Sequence, residues 1–454
     1  MAACPSHVHA RPHQGVFGLQ KRRPLCIGLS LAVTWLSGNG WRRPGSRAEE
    51  IHSTGFYSEL ARKAERAKLD FLLRPDALFI DPGALATSPS FSSLDPTVLL
   101  ASLACETRHI GLVTTASTSF YPPYLLARQV QSLHHVSQGR TGWNVVTSMD
   151  GQRNFGLAQM PPSPQRYEKA MECVALVRKL WDSYPCGALH IDRERGRFAD
   201  PGLLDRIAHA GPHFTVEGPL NVPSHPAGTP PLFQAGASAA GREFAARIAD
   251  GVFAASPDTA SGVELRRDLR ARAVRHGRAA DDIRVLPGLS LYLAGTAAQA
   301  RELYQETRGT QERARALETA SEALGIDLHA MPDDQPITAD QLPPADRPVR
   351  SRTHANLVRR LVVRESPTVR ELLERPEVAG AAHWVVVGTP QDAFSSIRER
   401  FAAGALDGAI VLPGGDIGSL DLFLEQVVPR LQASRLFRAD YSGTTLKSHL
   451  SAPE

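Results

Sequence analysis

The stretch from Gly139 to Ser148, GRTGWNVVTS, sets one amide side chain, Asn144, inside a short run of β-branched and aromatic residues. A buried amide costs free energy unless something hydrogen-bonds it, so Asn144 either satisfies nearby backbone or faces a pocket that supplies the partner. On this stretch alone the two readings are evenly matched. Ser238, in QAGASAAGREFAA (Gln234 to Ala246), stands where a strand hands over to a helix. Its hydroxyl and the free amides beside it suit a phosphate, and they equally suit an ordinary N-cap. Tyr167 falls in the first turn of another helix, where a lone tyrosine more often packs its ring and shows its hydroxyl to water. What is missing narrows the chemistry further. There is no Ser in a G-x-S-x-G elbow, no H-E-x-x-H and no carboxylate pair placed for glycoside cleavage. The five cysteines (Cys4, Cys26, Cys105, Cys173, Cys186) form no C-x-x-C pair. Hydrogen-bonding groups without a nucleophile or metal ligands imply that an organic cofactor supplies the reactivity, with no metal.

The elements that would position these residues alternate. Apolar runs at Cys26–Trp35, Phe71–Leu73 and His109–Thr115, with GRTGWNVVTS as the fourth, read as strands. The run around Phe56–Ala67, then Pro96–Cys105, Pro123–Val136 and Pro164–Trp181, read as the helices between and after them. Residues 186–230 are rich in Gly and Pro and too long for a connector, so they form an insertion. Alternation resumes with strands at Pro231–Ala235, Gly251–Ala255, Ile283–Leu293 and Gly408–Leu412, each followed by a helix. A second irregular insertion, 325–380, opens with a proline-rich stretch (Gly325–Arg350) expected to be a loop or mobile lid. With HFTVEGPL (His213–Leu220) and HWVVVG (His383–Gly388) set aside as accessories, eight strand–helix units remain. That predicts an α/β chain closed into a (β/α)8 TIM barrel over 24–450. A doubly wound open sheet is the weaker alternative, because no G-x-G-x-x-G follows the first strand. The working residues of such a barrel lie at the C-terminal strand ends. Here those ends carry Asn39, Trp41, Asp76, Thr115, Thr118, Asn144, Ser148 and Ser238.

The runs IGLVTTASTSFYPPYLLARQVQSLHHVSQGRTGWNVVTS, NFG (Asn154–Gly156), RYEKA, LWDSY, FTVEGPLNVP, QAGASAAGREFAAR, VVVGTP and the tail LFRADYSGTTLKSHL, in this order, resemble the nitrilotriacetate monooxygenase component A group of bacterial-luciferase-like flavin monooxygenases, which includes dibenzothiophene-sulfone and pristinamycin-type enzymes. The resemblance runs from about Pro24 to Leu450. It implies a luciferase-like barrel that binds FMN, reduced by a separate NAD(P)H:flavin reductase, and uses O2 to oxygenate a small organic substrate. The absence of a nicotinamide fingerprint agrees, since reducing power must then come from elsewhere. Position by position, the resemblance assigns FMN contacts to Asp76 (RPDAL), Thr115, Asn144, Tyr167 (RYEK) and Ala237 and Ser238 (AGAS). Asn144 and Thr115 fall on the ring side, with Ser148 beside them, and Tyr167 and Ser238 on the phosphate. Two positions depart from the group. Ser163 replaces a His four residues before Tyr167, and Ser37-Gly38-Asn39-Gly40 replaces a His pair after the first strand, so no catalytic residue carries over.

Two other readings fit the same fold: a deazaflavin-dependent oxidoreductase, and a non-catalytic flavin-binding paralogue. A net charge of +4 over 454 residues does not mark a nucleic-acid binder. The basic and apolar stretch Lys21–Gly38 imitates a secretory signal but lacks a clean cleavage site and is too short to span a bilayer. It reads as a buried first strand after a disordered extension at 1–23. Together with unpaired cysteines this points to a cytoplasmic protein, expected as a homo-oligomer without membrane contact.

Overall fold

The computed structural model describes residues 23–236, 238–345, 347, 349, 352–379 and 382–451. The expected disordered extension lies outside these residues except for Arg23, whose guanidinium donates to the Asp281 carbonyl. Eight parallel strands close on themselves: β1 (Cys26–Ser30), β2 (Phe71–Arg74), β3 (Gly111–Ser117), β4 (Thr141–Val146), β5 (Leu232–Gln234), β6 (Gly251–Ala254), β7 (Arg284–Leu293) and β8 (Gly408–Pro413). Neighbours in sequence pair throughout, and β8 pairs with both β7 and β1, which completes the expected (β/α)8 barrel. The first strand is shorter than the apolar run predicted. After Ser30 the chain turns through a 3-10 segment at Thr34–Leu36, and Trp35 and Leu36 bury themselves against the outer helices instead of extending the sheet.

Outside the barrel lie α1 (Thr54–Arg66), α2 (Pro96–Glu106), α3 (Pro123–Val136), α4 (Ser163–Asp182), α5 (Ala239–Ile248), α6 (Thr259–Arg275), α7 (Ala297–Leu324) and α8 (Pro390–Ala402). Asp95 caps α2 by accepting from the Val98 amide, and Pro96 follows at the first helical position, as the sequence pattern requires. The two accessory stretches stay outside the closed ring. Thr215–Val216 forms a short hairpin with His209–Ala210, and Trp384–Gly388 adds a ninth strand beside the upper half of β7.

The inner wall has a floor and a mouth. At the floor, Cys26, Phe71, Leu73, Val113, Phe233, Leu286 and Ile410 pack with Leu446 and Leu450 of the C-terminal tail. Inward glycines make room for these rings: a Cβ on Gly28 would overlap the Phe71 ring, and one on Gly251 would overlap that of Phe233. Three aspartates just before strands stitch the floor edge. Asp70 accepts from Ile27 N–H, Asp250 from Leu232 N–H at 2.7 Å and Asp407 from Val285 N–H at 3.0 Å. Each also has an arginine within ion-pair reach, respectively Arg438, Arg278 and Arg266.

The segment expected as a loop or lid, 325–345 among the described residues, is a loop with two short 3-10 turns. Its turns are Leu328–Ala330 and Ala339–Gln341, and Leu328 and, between the turns, Ile337 are buried among Ala320, Val358, Leu361 and Leu372. The helices Arg352–Glu365 and Val369–Glu374 complete this second hydrophobic cluster against the end of α7. The proline-rich stretch is thus a loop, as expected, and its short turns are pinned over a packed surface. Among the described residues no helix is long and apolar enough to cross a membrane.

Candidate functional site

The mouth of the barrel assembles most of the residues singled out in the sequence. β3 and β4 pair in register with Thr115 opposite Asn144, and both side chains point inward, since Val113 on the same face of β3 lies in the inner cluster. Asn144 Nδ2 donates to Thr115 Oγ1 at 3.0 Å. Asn144 is only 4 % exposed, yet its Oδ1 is buried without a hydrogen-bond partner. An unmet acceptor in that position costs about 1–3 kcal/mol, a debt that a ligand N–H would remove. Core packing does not explain it.

A second group forms where α4 and α5 begin. Ser238 is the N-cap of α5 and accepts from the Gly241 amide at 3.1 Å. The next two helical residues, Ala239 and Ala240, are exposed, so the N-terminal amides of a ten-residue helix face solvent, a favourable place for an anion. Tyr167, in the first turn of α4, packs its ring on Phe244 with centroids 5.5 Å apart. Its hydroxyl reaches the same turn: a Cβ on Gly241 would stand 2.7 Å from the Tyr167 oxygen, and one on Gly236 2.9 Å away. Only glycines let this hydroxyl sit against the strand-to-helix turn. Tyr167 and Ser238, distant in sequence, therefore share one cradle.

Asp76 lies just past β2 and is half-buried. Burial, then the charge of Asp95, pushes its carboxyl up to about 6; the Ala77 amide and Arg74 pull the other way. The Tyr121 phenol nearby is raised by burial and by Asp95 and Asp76.

The remaining predicted residues are engaged elsewhere or stand apart. Ser148 donates to Ser117 Oγ at 2.7 Å, tying the loop after β4 to the end of β3. Thr118 spends its hydroxyl on the Val146 carbonyl. Ser163 is exposed at the first residue of α4, one turn before Tyr167. Asn39 joins its loop to α7, with its amide N–H on Thr307 O at 2.7 Å and its side chain on Glu306 O. Trp41 donates to Thr87 O at 2.8 Å. Ala237 lies outside the described residues. Among the described residues no cluster of three His, Cys, Asp or Glu side chains is placed to hold a metal ion.

Sequence reasoning missed His383. Trp384 pairs with Leu289 of β7, so His383 lies opposite Gly288 on the inward side, and its ring stacks on Phe253 of β6 at 5.2 Å and 8°. No alternation of polarity in HWVVVG marks this histidine; in the structure Trp384 and Val386 face the outer core, while His383, Val385 and Val387 are the partly exposed alternate set.

Residues 41–407 match the family model described as luciferase-like monooxygenase. The chain is 37 % identical over 438 residues to the nitrilotriacetate monooxygenase component A of Aminobacter aminovorans, covering 93 % of this chain and 95 % of that one. It is 36 % identical to the N-acetyl-S-(2-succino)cysteine monooxygenase of Bacillus subtilis (strain 168), covering 94 % and 97 %. Among solved structures, a riboflavin lyase with modified FMN and riboflavin superposes with a TM-score of 0.81 at 31 % identity, over 94 % of this chain and 96 % of that one.

Proposed function

The chain belongs to the luciferase-like monooxygenase family, and on that premise we propose an FMN-dependent, two-component monooxygenase. It takes reduced FMN from a separate flavin reductase in the cytoplasm and uses O2 to oxygenate a small organic substrate. The observation that carries this reading is the buried, unpartnered Oδ1 of Asn144 on the inner wall of the mouth. A flavin ring presents an imide N–H between two carbonyls. Asn144 Oδ1 suits that donor, and the Thr115 hydroxyl beside it suits a carbonyl. The Tyr167 hydroxyl, the Gly236–Gly241 turn and the open α5 amides suit the phosphate.

When bound, the reduced flavin supplies the electrons that activate oxygen. The chain's own residues do the rest. The aromatic floor and the tail residues Leu446 and Leu450 fill the lower end of the barrel with apolar side chains, which keeps water from entering on that side. Thr115 and Asn144 fix the orientation of the ring from two adjacent strands, a rigid support. Asp76, with its carboxyl up at about 6, takes up and releases a proton at its carboxylate near neutral pH.

The test is an anaerobic titration of the purified protein with reduced FMN, followed by oxygen uptake with an added flavin reductase and a panel of organic acids and sulfur compounds. Saturable binding and oxygen uptake that rises with one compound are expected. Absence of FMN binding overturns the reading.

A further inference from the structure

The strand Trp384–Gly388 extends the barrel wall above β6. β6 pairs with residues 284–287 of β7, and the outer strand takes over along residues 289–293. In a closed ring of eight, β7 stands across the mouth from β3, so this added wall faces the Thr115–Asn144 wall. Its inward set is His383, Val385 and Val387, all partly exposed, opposite Gly288, Ser290 and Tyr292 of β7. Below them lies Phe253. The surface is apolar apart from one imidazole and the hydroxyls of β7.

The imidazole is fixed. Its ring lies parallel to Phe253, and a Cβ on Gly288 would overlap its Nδ1 edge. Nδ1 is enclosed without a partner, while the residue as a whole keeps part of its surface open. The open edge is therefore the Nε2 side. With no acceptor and no room at Nδ1, the proton belongs on Nε2. Burial pushes the ring down to about 4, so it is neutral at physiological pH.

Resting on the monooxygenase reading, we propose that His383 is a specificity-determining residue that holds the organic substrate against the wall opposite the flavin. Nε2–H donates to an oxygen acceptor on a substrate whose apolar body lies along Val385, Val387 and Phe253. The wall recognises a molecule with an apolar body and one well-placed oxygen, such as a sulfone or a carboxylate, and it disfavours a multiply charged ion, because His383, Val385, Val387, Ser290 and Tyr292 include no charged side chain.

The test compares the parent protein with H383F, which keeps the stack on Phe253, and H383Q, which restores a donor. FMN affinity and thermal midpoint are measured first, and both should stay within about twofold and a few degrees of the parent. Three probes are then titrated onto the FMN-loaded proteins: dibenzothiophene sulfone, benzoate and octane, which has no acceptor. Expected is binding of the sulfone or benzoate to the parent, roughly tenfold weaker binding to H383F and recovery in H383Q, with octane unable to tell parent from H383F. The proposal is overturned if neither acceptor probe binds the parent, if H383F binds them as well as the parent does, or if H383F loses FMN. Failure of the parent to bind FMN at all would instead strike the monooxygenase reading.

Discussion

Asp70 and Asp76 stand at the two ends of the same strand, and burial pushes both carboxyls up to about 6. Their surroundings differ. At the floor, Asp70 is fully buried and accepts from Ile27 N–H and from Arg438, which in turn reaches the His449 carbonyl and ties down the tail. At the mouth, Asp76 is bonded among the described residues only by the amide of Ala77 and shares its space with the like charge of Asp95. The same contrast holds for the amides and rings. Floor glycines make room for the rings of Phe71 and Phe233 and the floor aspartates are paired with backbone amides and arginines, whereas the mouth keeps the Asn144 acceptor unmet. One half of the barrel is finished as a core. The other, on the proposed reading, is completed by the flavin.

Substitutions at the two ends should therefore fail in different ways. Asp70→Ala leaves Arg438 facing a buried void and should cost about 3–5 kcal/mol in chemical unfolding, with FMN affinity of the folded fraction unchanged. A cost below about 1 kcal/mol would erase the distinction between the two ends. Tyr167→Phe removes the hydroxyl from the Gly236–Gly241 turn. It should weaken FMN about tenfold, roughly 1.4 kcal/mol, and leave riboflavin, which has no phosphate, almost untouched. Equal losses for both ligands would move Tyr167 out of the phosphate cradle.

The smallest effect concerns Asp76 and pH. Its folded carboxyl lies above the ordinary carboxylate value, so its contribution to stability is complete below about pH 4 and is lost as the pH rises through about 6. Asp76→Asn should match the parent at pH 4 and gain on it above pH 6, on the order of 1 kcal/mol after allowing for screening at a half-buried site. Thermal unfolding across that range checks this; a variant less stable than the parent at pH 7 would show that Asp76 is paired as Asp70 is.

Much of the fold was legible because the eight strands repeat one pattern of apolar run followed by amphipathic helix. The site was legible where a residue type was out of place locally. Asn144 in a β-branched run and Ser238 at a strand-to-helix turn are such cases, and the structure sets each at the mouth. What escaped depended on distance in sequence. The Tyr167 hydroxyl meets Gly241 across more than seventy residues, and nothing near either one announces the contact. His383 escaped because its strand lies outside the ring and its inward direction comes only from the register with β7. The stretch Gly325–Arg350 is a loop as read, but its packing escaped for a related reason: Gly325, at φ 80°, closes α7 as a left-handed cap. Beyond it Leu328 and Ile337 find their partners in helices that come later in the chain.

The central claim is that the mouth's unmet acceptor is a flavin contact. Its most direct test is Asn144→Ala, comparing anaerobic affinity for reduced FMN with the thermal midpoint of the ligand-free protein. The account predicts a loss of roughly 10- to 100-fold in affinity, with a midpoint within a few degrees of the parent, because the acceptor removed was already without a partner and the one hydrogen bond lost, Nδ2 to Thr115 Oγ1, contributes about 1 kcal/mol. A large fall in the midpoint with affinity intact would return Asn144 to the core and contradict the account.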